Sequence, residues 1–361
     1  MNAAGSSLRP LSARVSKPYF PSPLRLNAIR ATTRSTFPSI LSSSFNMSSK
    51  QNDDQVVTAY PNYFPDRQKQ ELPGEDQSME PLAEHIKVEK WDNEGKPYLE
   101  EYKGSGKLQG KSAIITGGDS GIGRSAALFF AREGANVTIA YLPEEEKDAD
   151  MVEKLVREAP MGTKEILRVP GNLEKESDCK EVVDKHLAKW GTIDIVVNNA
   201  SKQVPCKKFE DIDLGVTEST FRSNVLGAFA LTKFALPHMK RGSTIIQSSS
   251  VTAYKGSAQM IDYSSTKGAL VSFTRSMALH LAPRGIRVNA VAPGPVYTPL
   301  QPASRSEDNM EGWGIGGVPL HGRPGQPAEM GATYVFLADA GSSNIMTGQV
   351  LHLSHGSWFG S

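Results

Sequence analysis

The chain has 361 residues, with 40 Lys and Arg against 39 Asp and Glu, which gives a formal net charge of +1. Residues 1–52 contain seven of the basic residues and no acid, so the remainder has a charge of −6. This distribution excludes a uniformly basic body of the kind that binds nucleic acid. The apolar runs are shorter than the ~18 residues of a membrane span, so no membrane partner is expected either. Two cysteines cannot form a framework of several disulfides.

Two segments precede the regular part of the sequence. Residues 1–50 are rich in Ser and Pro, basic and free of acids, which is typical of a chloroplast transit peptide. A mitochondrial signal, a disordered basic tail, and a cytosolic chain translated from Met47 are the alternatives. Residues 51–107 are polar with many Pro and Gly residues, and they predict an extended arm with little secondary structure. Aromatic side chains such as Tyr60 and Trp91 would anchor this arm on the folded body, whereas a flexible linker is the simpler interpretation.

Residues 108–361 alternate short apolar runs with amphipathic stretches. Strands are predicted at 112–116, 136–142, 166–169, 193–197, 243–247, 287–292 and 349–353. Helices are predicted at 125–133, 144–158, 174–190, 221–239, 263–282 and 328–339. Near-continuous apolar strands that alternate with helices indicate a parallel sheet covered on both faces. The prediction is therefore a single α/β domain, a doubly wound Rossmann fold with a seven-stranded parallel sheet.

A glycine-rich loop joins the first of these strands to the first helix. Gly117, Gly121 and Gly123 follow the spacing G-x-x-x-G-x-G. Glycine permits the backbone angles and the close approach that such a turn needs. The loop also directs amide N–H groups and the positive end of the helix towards an anion. Its position in a βαβ unit predicts that it binds the pyrophosphate of a dinucleotide.

A second constellation lies in the fifth strand and the helix that follows. Tyr263 and Lys267 have the i, i+4 spacing of one helix face, and Ser250 lies just beyond the strand. Reduction of a carbonyl needs an acid, and a free Tyr has a pKa near 10. A charged Lys267 nearby would lower the pKa of Tyr263, while the Ser250 hydroxyl would hold the substrate oxygen.

Together, the glycine loop, Ser250 and Tyr263-x-x-x-Lys267 resemble the short-chain dehydrogenase/reductase family over residues 108–359. The resemblance implies that Tyr263 is the general acid/base, that Lys267 tunes it and that Ser250 orients the substrate. It also implies a catalytic role for Asn224, which would hold a water that relays protons, against an ordinary structural Asn. The implied assembly is a homotetramer, formed through the long helices that contain Asn224 and Tyr263.

The same resemblance implies a set of cofactor contacts. Ser201 departs from the family pattern, because it replaces Gly after Asn198-Asn199-Ala200. Besides Tyr263 and Lys267, the implied contacts are Gly117, Asp119, Ser120, Gly121, Ile122, Gly123, Asn172, Leu173, Asn199, Ala200, Pro293, Gly294, Val296 and Thr298.

The choice between NAD and NADP depends on conflicting signals. The second strand ends in Tyr141-Leu142-Pro143-Glu144, without the Asp that usually marks NAD. Asp119 stands where a basic residue often marks NADP, and it would repel a 2′-phosphate. Arg124 is basic but lies after the loop. The cofactor is therefore written NAD or NADP, with a slight preference for NAD.

The upstream Gln68–Gly74 segment, the loop T-G-G-D-S-G-I-G-R and the strand end Y-L-P-E-E-E resemble a subgroup that has an extended N-terminal arm. That subgroup contains bacterial aldehyde-reductase-like oxidoreductases and the plant glucose and ribitol dehydrogenase homologues. It implies a small aldehyde, sugar or polyol substrate. A 3-oxoacyl carrier-protein reductase and a non-catalytic, stress-related nucleotide-binding protein are the alternatives. The segment 295–325, with Tyr297, Met310 and Trp313, is predicted to cover the substrate or to be a plain surface loop. The seven histidines form no ligand-spaced pair, so no metal site is expected.

Overall fold

The computed structural model describes residues 56–358. The transit peptide predicted for residues 1–50 lies outside these residues. The arm differs from the sequence expectation, because it contains an antiparallel hairpin. Strand β1 (Lys87–Trp91) pairs with β2 (Pro97–Glu101), and a short 3-10 turn precedes them at Asp76–Ser78.

The main sheet has seven parallel strands, as predicted. They are β3 (Ser112–Thr116), β4 (Asn136–Tyr141), β5 (Ile166–Pro170), β6 (Ile193–Asn198), β7 (Met239–Ser248), β8 (Arg287–Pro293) and β9 (Val350–Leu353). Their spatial order is β5-β4-β3-β6-β7-β8-β9, so the direction of winding reverses between β3 and β6. In such a doubly wound sheet the ligand crevice opens beyond the carboxyl ends of the strands at this reversal.

Helices cover both faces of the sheet. They are α1 (Gly121–Arg132), α2 (Glu146–Glu158), α3 (Glu176–Trp190), α4 (Leu214–Phe221), α5 (Gly227–Ala235), α6 (Thr252–Lys255), α7 (Ile261–Leu281), α8 (Leu300–Ser304), α9 (Pro327–Ala338) and α10 (Ala340–Ser343). One buried cluster contains Phe129 of α1 and Tyr334 of α9. A second contains Val183 of α3, Leu231 of α5 and Leu281 of α7. The two clusters form the hydrophobic layers on either side of the sheet.

Two element boundaries differ from the predictions in ways that matter for the site. Helix α1 begins at Gly121, four residues earlier than predicted, so the last two glycines of the loop belong to the helix. The helix predicted at 221–239 is interrupted, because a π-helical segment (Arg222–Leu226) separates α4 from α5. It also ends early, since Met239 already begins β7. Such π segments are local irregularities that a hydrophobic period cannot reveal, and they are frequent at functional sites.

Candidate active site

A cavity of about 420 Å³ opens at the carboxyl edge of the sheet, beside the reversal between β3 and β6. All the predicted site residues line it except Gly123 and Asn224. The lining members are Gly117, Asp119, Ser120, Gly121, Ile122, Asn172, Leu173, Asn199, Ala200, Ser250, Tyr263, Lys267, Pro293, Gly294, Val296 and Thr298. The glycine loop and the Ser–Tyr–Lys constellation therefore share one cavity, although well over a hundred residues separate them in sequence.

The glycine loop has the geometry that its composition predicts. Gly117 and Gly121 adopt φ values of +59° and +50°, in the left-handed region that side chains other than glycine rarely occupy. Gly123 has a packing role, because an added Cβ would lie 1.8 Å from the Gly117 oxygen and 2.6 Å from Asn199 Nδ2. Within the described residues, the amides of Ile122 and Gly123 donate no hydrogen bond. These N–H groups at the start of α1 are the ones that a bound anion can accept from.

Asn199 holds the glycine loop against the sheet. Its Nδ2 donates to the oxygens of Thr116 and Gly117 at 3.2 and 3.3 Å. Its Oδ1 accepts from Ser248 Oγ at 3.0 Å, which ties β7 to the same loop. Asn199 lines the cavity as predicted, and its side chain is engaged by the protein.

Asn224 lies in the π-helical segment beside the cavity. Its Oδ1 accepts from the Lys202 amide at 2.7 Å, and its Nδ2 donates to the Lys202 oxygen at 2.8 Å and to Thr266 Oγ1 at 3.0 Å. The side chain thus clamps the backbone after β6 to the first turns of α7. This clamp engages both Nδ2 donors and one lone pair of Oδ1, so the side chain has a structural role; the predicted water at Asn224 stays a prediction.

Tyr263, Lys267 and Ser250 meet at the other end of the cavity. Lys267 Nζ lies 5.3 Å from the centre of the Tyr263 ring and donates to the Ser248 oxygen at 2.8 Å. Burial raises the pKa of Tyr263 to about 12, although the Ser250 hydrogen bond acts to lower it. Burial also lowers the pKa of Lys267 to about 7. In this structure burial sets the direction of both shifts, because it favours the neutral form of each group. The lowering of the Tyr263 pKa by a charged Lys267 stays a prediction.

Buried acids surround the end of the cavity near β4 and α2. Burial raises the pKa of Asp119 to about 7 and that of Glu145 to about 9, and the charge of Asp119 adds to the rise at Glu145. Arg124 is the nearby base, and it is already engaged. Its Nε donates to the Asp119 backbone oxygen at 2.7 Å, and its Nη2 lies 2.8 Å from Asp148 Oδ1. This end of the cavity is acidic and has no uncommitted Arg among the described residues that line it.

The segment 295–325 does not place its predicted side chains over the cavity. Tyr297 and Met310 are buried with Met79 of the arm, and Trp313 packs beside them. The part of this segment that lines the cavity is Val296 to Gln301, excluding the buried Tyr297. The side chains of Tyr297, Met310 and Trp313 therefore do not form the predicted cover over the substrate, because they pack with Met79 of the arm.

Sequence reasoning also missed several cavity residues. Leu72 and Pro73 of the arm line the cavity, as do Lys202, Ser223, Leu300 and Gln301. No local pattern identifies the arm residues, since they reach the cavity only through long-range packing. No helix in residues 56–358 is long and apolar enough to cross a membrane. The same residues contain no group of three His, Cys, Asp or Glu side chains placed to hold a metal ion.

Known oxidoreductases are similar to this chain in sequence. Residues 117–357 match the sequence profile of a family described as "Enoyl-(Acyl carrier protein) reductase". The chain is 48% identical over 258 residues to the "NADPH-dependent aldehyde reductase 1, chloroplastic" of Arabidopsis thaliana, covering 71% of this chain and 89% of that protein. It is 43% identical over 295 residues to the "Glucose and ribitol dehydrogenase" of Daucus carota, covering 81% and 96%.

A solved structure agrees with these sequence relationships. The 3-ketoacyl-(acyl-carrier-protein) reductase of Brucella melitensis, complexed with NADH, superposes with a TM-score of 0.62 at 28% identity. The match covers 69% of this chain and 99% of that one. The profile match, the relatives and the shared fold lead to one conclusion: this chain is an oxidoreductase of the short-chain dehydrogenase/reductase family.

Proposed function

We propose that this protein interconverts a small alcohol, polyol or sugar with its aldehyde or ketone by hydride transfer to or from NAD or NADP. The observation that supports this most directly is the single cavity lined by the glycine loop, Ser250, Tyr263 and Lys267. The Arabidopsis and Daucus relatives, named for aldehyde reduction and for glucose and ribitol oxidation, support the substrate class.

The residues present fit a nicotinamide dinucleotide. The open amides of Ile122 and Gly123 suit its pyrophosphate, and Asn172 and Leu173 suit its adenine side. Val296 and Thr298 also line the cavity, and the family resemblance assigns the nicotinamide to this segment. When bound, the nicotinamide supplies or accepts the hydride; the protein supplies position and protons.

Tyr263 has the proton that carbonyl reduction requires. With a pKa of about 12, its phenol is protonated at neutral pH and can donate to the carbonyl oxygen. Ser250, at the end of β7, would hold the same oxygen. Lys267 Nζ would carry a proton from solvent towards Tyr263, since its pKa of about 7 lets it both gain and lose one near neutrality. Asn224 would act through its clamp on Lys202 and Thr266, which sets the start of α7.

A substrate panel tests the proposal. Small aldehydes, glucose, ribitol and a 3-oxoacyl thioester are each incubated with NAD(H) and NADP(H), and the absorbance of the reduced nicotinamide is followed. Turnover of an aldehyde or polyol is expected. Preferential turnover of the thioester would favour the carrier-protein reductase alternative, which the Brucella structure represents in this fold. Absence of both turnover and dinucleotide binding would contradict the proposal.

For the cofactor, we retain the slight preference for NAD. The acids Asp119 and Glu145 line the cavity near the end of β4, and Arg124 is already paired with Asp148. A 2′-phosphate at this end would meet acidic side chains and no free guanidinium. The NADPH dependence in the name of the Arabidopsis relative points the other way. A ratio of kcat/KM that favours NADPH over NADH would refute the preference.

We further propose delivery to the chloroplast and assembly into a homotetramer. The composition of residues 1–50 and the chloroplastic Arabidopsis relative support the first, and a cytosolic fusion of residues 1–50 to a fluorescent protein would refute it. The exposed apolar side chains of Leu226, Phe229 and Leu279, beside or on α5 and α7, support the second. Light scattering that shows a stable monomer would contradict the tetramer.

A further inference from the structure

The arm makes a buried ionic contact with the start of the phosphate-binding helix. Asp76, only 2% exposed, lies in the 3-10 turn of the arm. Its Oδ2 accepts from the Gly121 amide at 2.7 Å. The same oxygen lies 3.4 Å from Arg124 Nη1 and 3.1 Å from His85 Nε2. A carboxylate that belongs to the arm therefore sits at the N-terminus of α1.

A second group of contacts fixes the same turn from the other side. His85, also in the arm, lies with Nδ1 3.2 Å from Ser125 Oγ, and Ser125 Oγ donates to the His85 oxygen at 3.2 Å. The Asp76 amide donates to Asp148 Oδ2 at 2.8 Å, and Asp148 pairs with Arg124. The first turn of α1 is thus held at three positions by arm residues and by α2.

The arm caps the N-terminus of α1, which no side chain of the glycine loop caps. Ser120 is the N-cap residue of α1, but its side chain makes no capping hydrogen bond. The Asp76 carboxylate satisfies the first amide of the helix instead, with the charge that the helix dipole favours there. The amides of Ile122 and Gly123 remain open within the described residues.

The groups around Asp76 favour its charged form. Burial alone would raise the pKa of this carboxyl, but Arg124, His85 and the Gly121 amide together hold it well below its usual range. The arm also reaches the cavity directly, since Leu72 and Pro73 line it. Gly74 presses on the 298–302 segment, where an added Cβ would lie 2.7 Å from the Pro299 oxygen.

We propose that Asp76 is a positioning residue for the dinucleotide: it fixes the first turn of α1 so that the amides of Ile122 and Gly123 are preorganised for the pyrophosphate. The arm is then part of the cofactor site and not only a covering segment. The inference rests on the proposed binding of NAD(H) or NADP(H). It makes Asp76 act through Gly121 and Arg124, without touching the cofactor itself.

Three variants of the full chain test the role of Asp76. Asp76→Ala removes the acceptor and the charge, and Asp76→Asn keeps an acceptor for the Gly121 amide. Glu89→Gln is the matched control, because Glu89 is another arm carboxylate in a buried pair, 2.9 Å from Arg323 Nη2, and it does not line the cavity. Binding of NADH and NADPH is measured directly from the fluorescence of the reduced nicotinamide.

The expected dissociation constant rises about five- to tenfold in Asp76→Ala and by a smaller factor in Asp76→Asn, as for loss of a helix cap. The dissociation constant of Glu89→Gln should stay within about twofold of wild type, even if its melting temperature falls as much as that of Asp76→Ala. KM for the dinucleotide should follow the dissociation constant, while kcat at saturating dinucleotide and KM for the carbonyl substrate change little. General destabilisation would instead reduce the active fraction and leave the dissociation constant unchanged.

Several results would overturn the inference. One is a dissociation constant that stays unchanged or falls in both Asp76 variants. A fall would mean that the carboxylate only repels the pyrophosphate, so that its removal strengthens binding. If Asp76→Ala does not fold, Asp76→Asn removes the charge beside the Gly121 amide, and Ser125→Ala removes the neighbouring contact between His85 of the arm and α1. Unchanged binding in both variants has the same meaning. Wild-type protein that binds neither NADH nor NADPH would contradict the proposed function itself.

Discussion

The two ends of the cavity are built in different ways. One end, called the chemical end below, contains Ser250, Tyr263 and Lys267. These residues come from one short stretch of sequence, and one turn of α7 places the phenol and the amine on the same face. The other end, called the phosphate end below, contains the glycine loop and the start of α1. Hydrogen bonds from Asn199, which is itself bonded to Ser248, and to Asp76 of the arm hold this region, and Asp76 lies 45 positions before Gly121. The proposed catalytic residues are therefore encoded locally, whereas the shape of the loop proposed to bind the pyrophosphate depends on contacts that are distant in sequence.

Electrostatics separates the two ends as well. Burial raises the pKa of Tyr263 to about 12 and lowers that of Lys267 to about 7, so both shifts at the chemical end favour the neutral form. The phosphate end combines a charged carboxylate, Asp76, with acids whose pKa values are raised, Asp119 and Glu145. Changes at the chemical end should alter turnover, and changes at the phosphate end should alter binding and stability.

The largest effect is expected for Tyr263→Phe. Loss of the phenolic proton should reduce kcat by roughly 10³-fold, within the range of general acid–base catalysis. The dissociation constant of the dinucleotide, measured by fluorescence, should stay within about twofold, because the backbone of α7 is unchanged. Substantial residual turnover would mean that another group donates the proton. It would contradict the assignment of turnover to the chemical end.

Gly123→Ala should disturb the phosphate end. The new Cβ would lie 1.8 Å from the Gly117 oxygen, so the loop must move. We expect the free energy of unfolding to fall by about 3 kcal/mol and dinucleotide binding to be lost. Gly268→Ala is the matched control, since it lies beside Lys267 in α7 with nothing within 4 Å of an added Cβ. The free energy of unfolding of Gly268→Ala, measured in urea, should be unchanged or higher by up to about 1 kcal/mol. Wild-type behaviour of both variants would show that the close approach of Gly123 to Gly117 is not required.

The direction of the reaction should depend on pH through Tyr263. Alcohol oxidation needs the phenolate as base, and a pKa of about 12 makes that form scarce at pH 7. The oxidation rate should therefore rise between pH 7 and pH 10, by up to about tenfold per pH unit, while carbonyl reduction does not rise. Initial rates in both directions across this range provide the measurement. An oxidation rate independent of pH would show that Tyr263 loses its proton far more easily than its burial indicates.

The smallest effect is expected for Asp119→Asn. The pKa of Asp119 is raised to about 7 in the fold, so the folded state is penalised as pH rises from the unfolded value towards 7 and remains fully penalised above it. The variant should raise the melting temperature by roughly 2–4 °C at pH 8 and by less at pH 5. Asp184→Asn, at an exposed pair with Lys180, should change it equally little at both pH values. A gain that is larger at pH 5 would reverse the assigned sign.

Much of this arrangement could be predicted because it depends on local patterns. The apolar strands, the glycine loop and the Tyr263-x-x-x-Lys267 spacing predicted the sheet and most of the residues that line the cavity. The interruption of the helix predicted at 221–239 could not be foreseen, because a π-helical segment needs only one added residue in an otherwise helical pattern. The hairpin of the arm was missed because its strands are short and polar, so neither has a clear alternation.

Periodicity and motif spacing, which act over a few neighbouring residues, were sufficient to predict the fold class, the family and most of the residues that line the cavity. Three properties became visible only in the folded chain: the position of the arm, the burial of side chains from the 295–325 segment against it, and the direction in which burial moves the pKa values of Tyr263 and Lys267. These properties depend on desolvation and on contacts between segments that are distant in sequence, such as Asp76 with Gly121. No local pattern records such contacts, because their free energy arises only when the whole chain has folded around them.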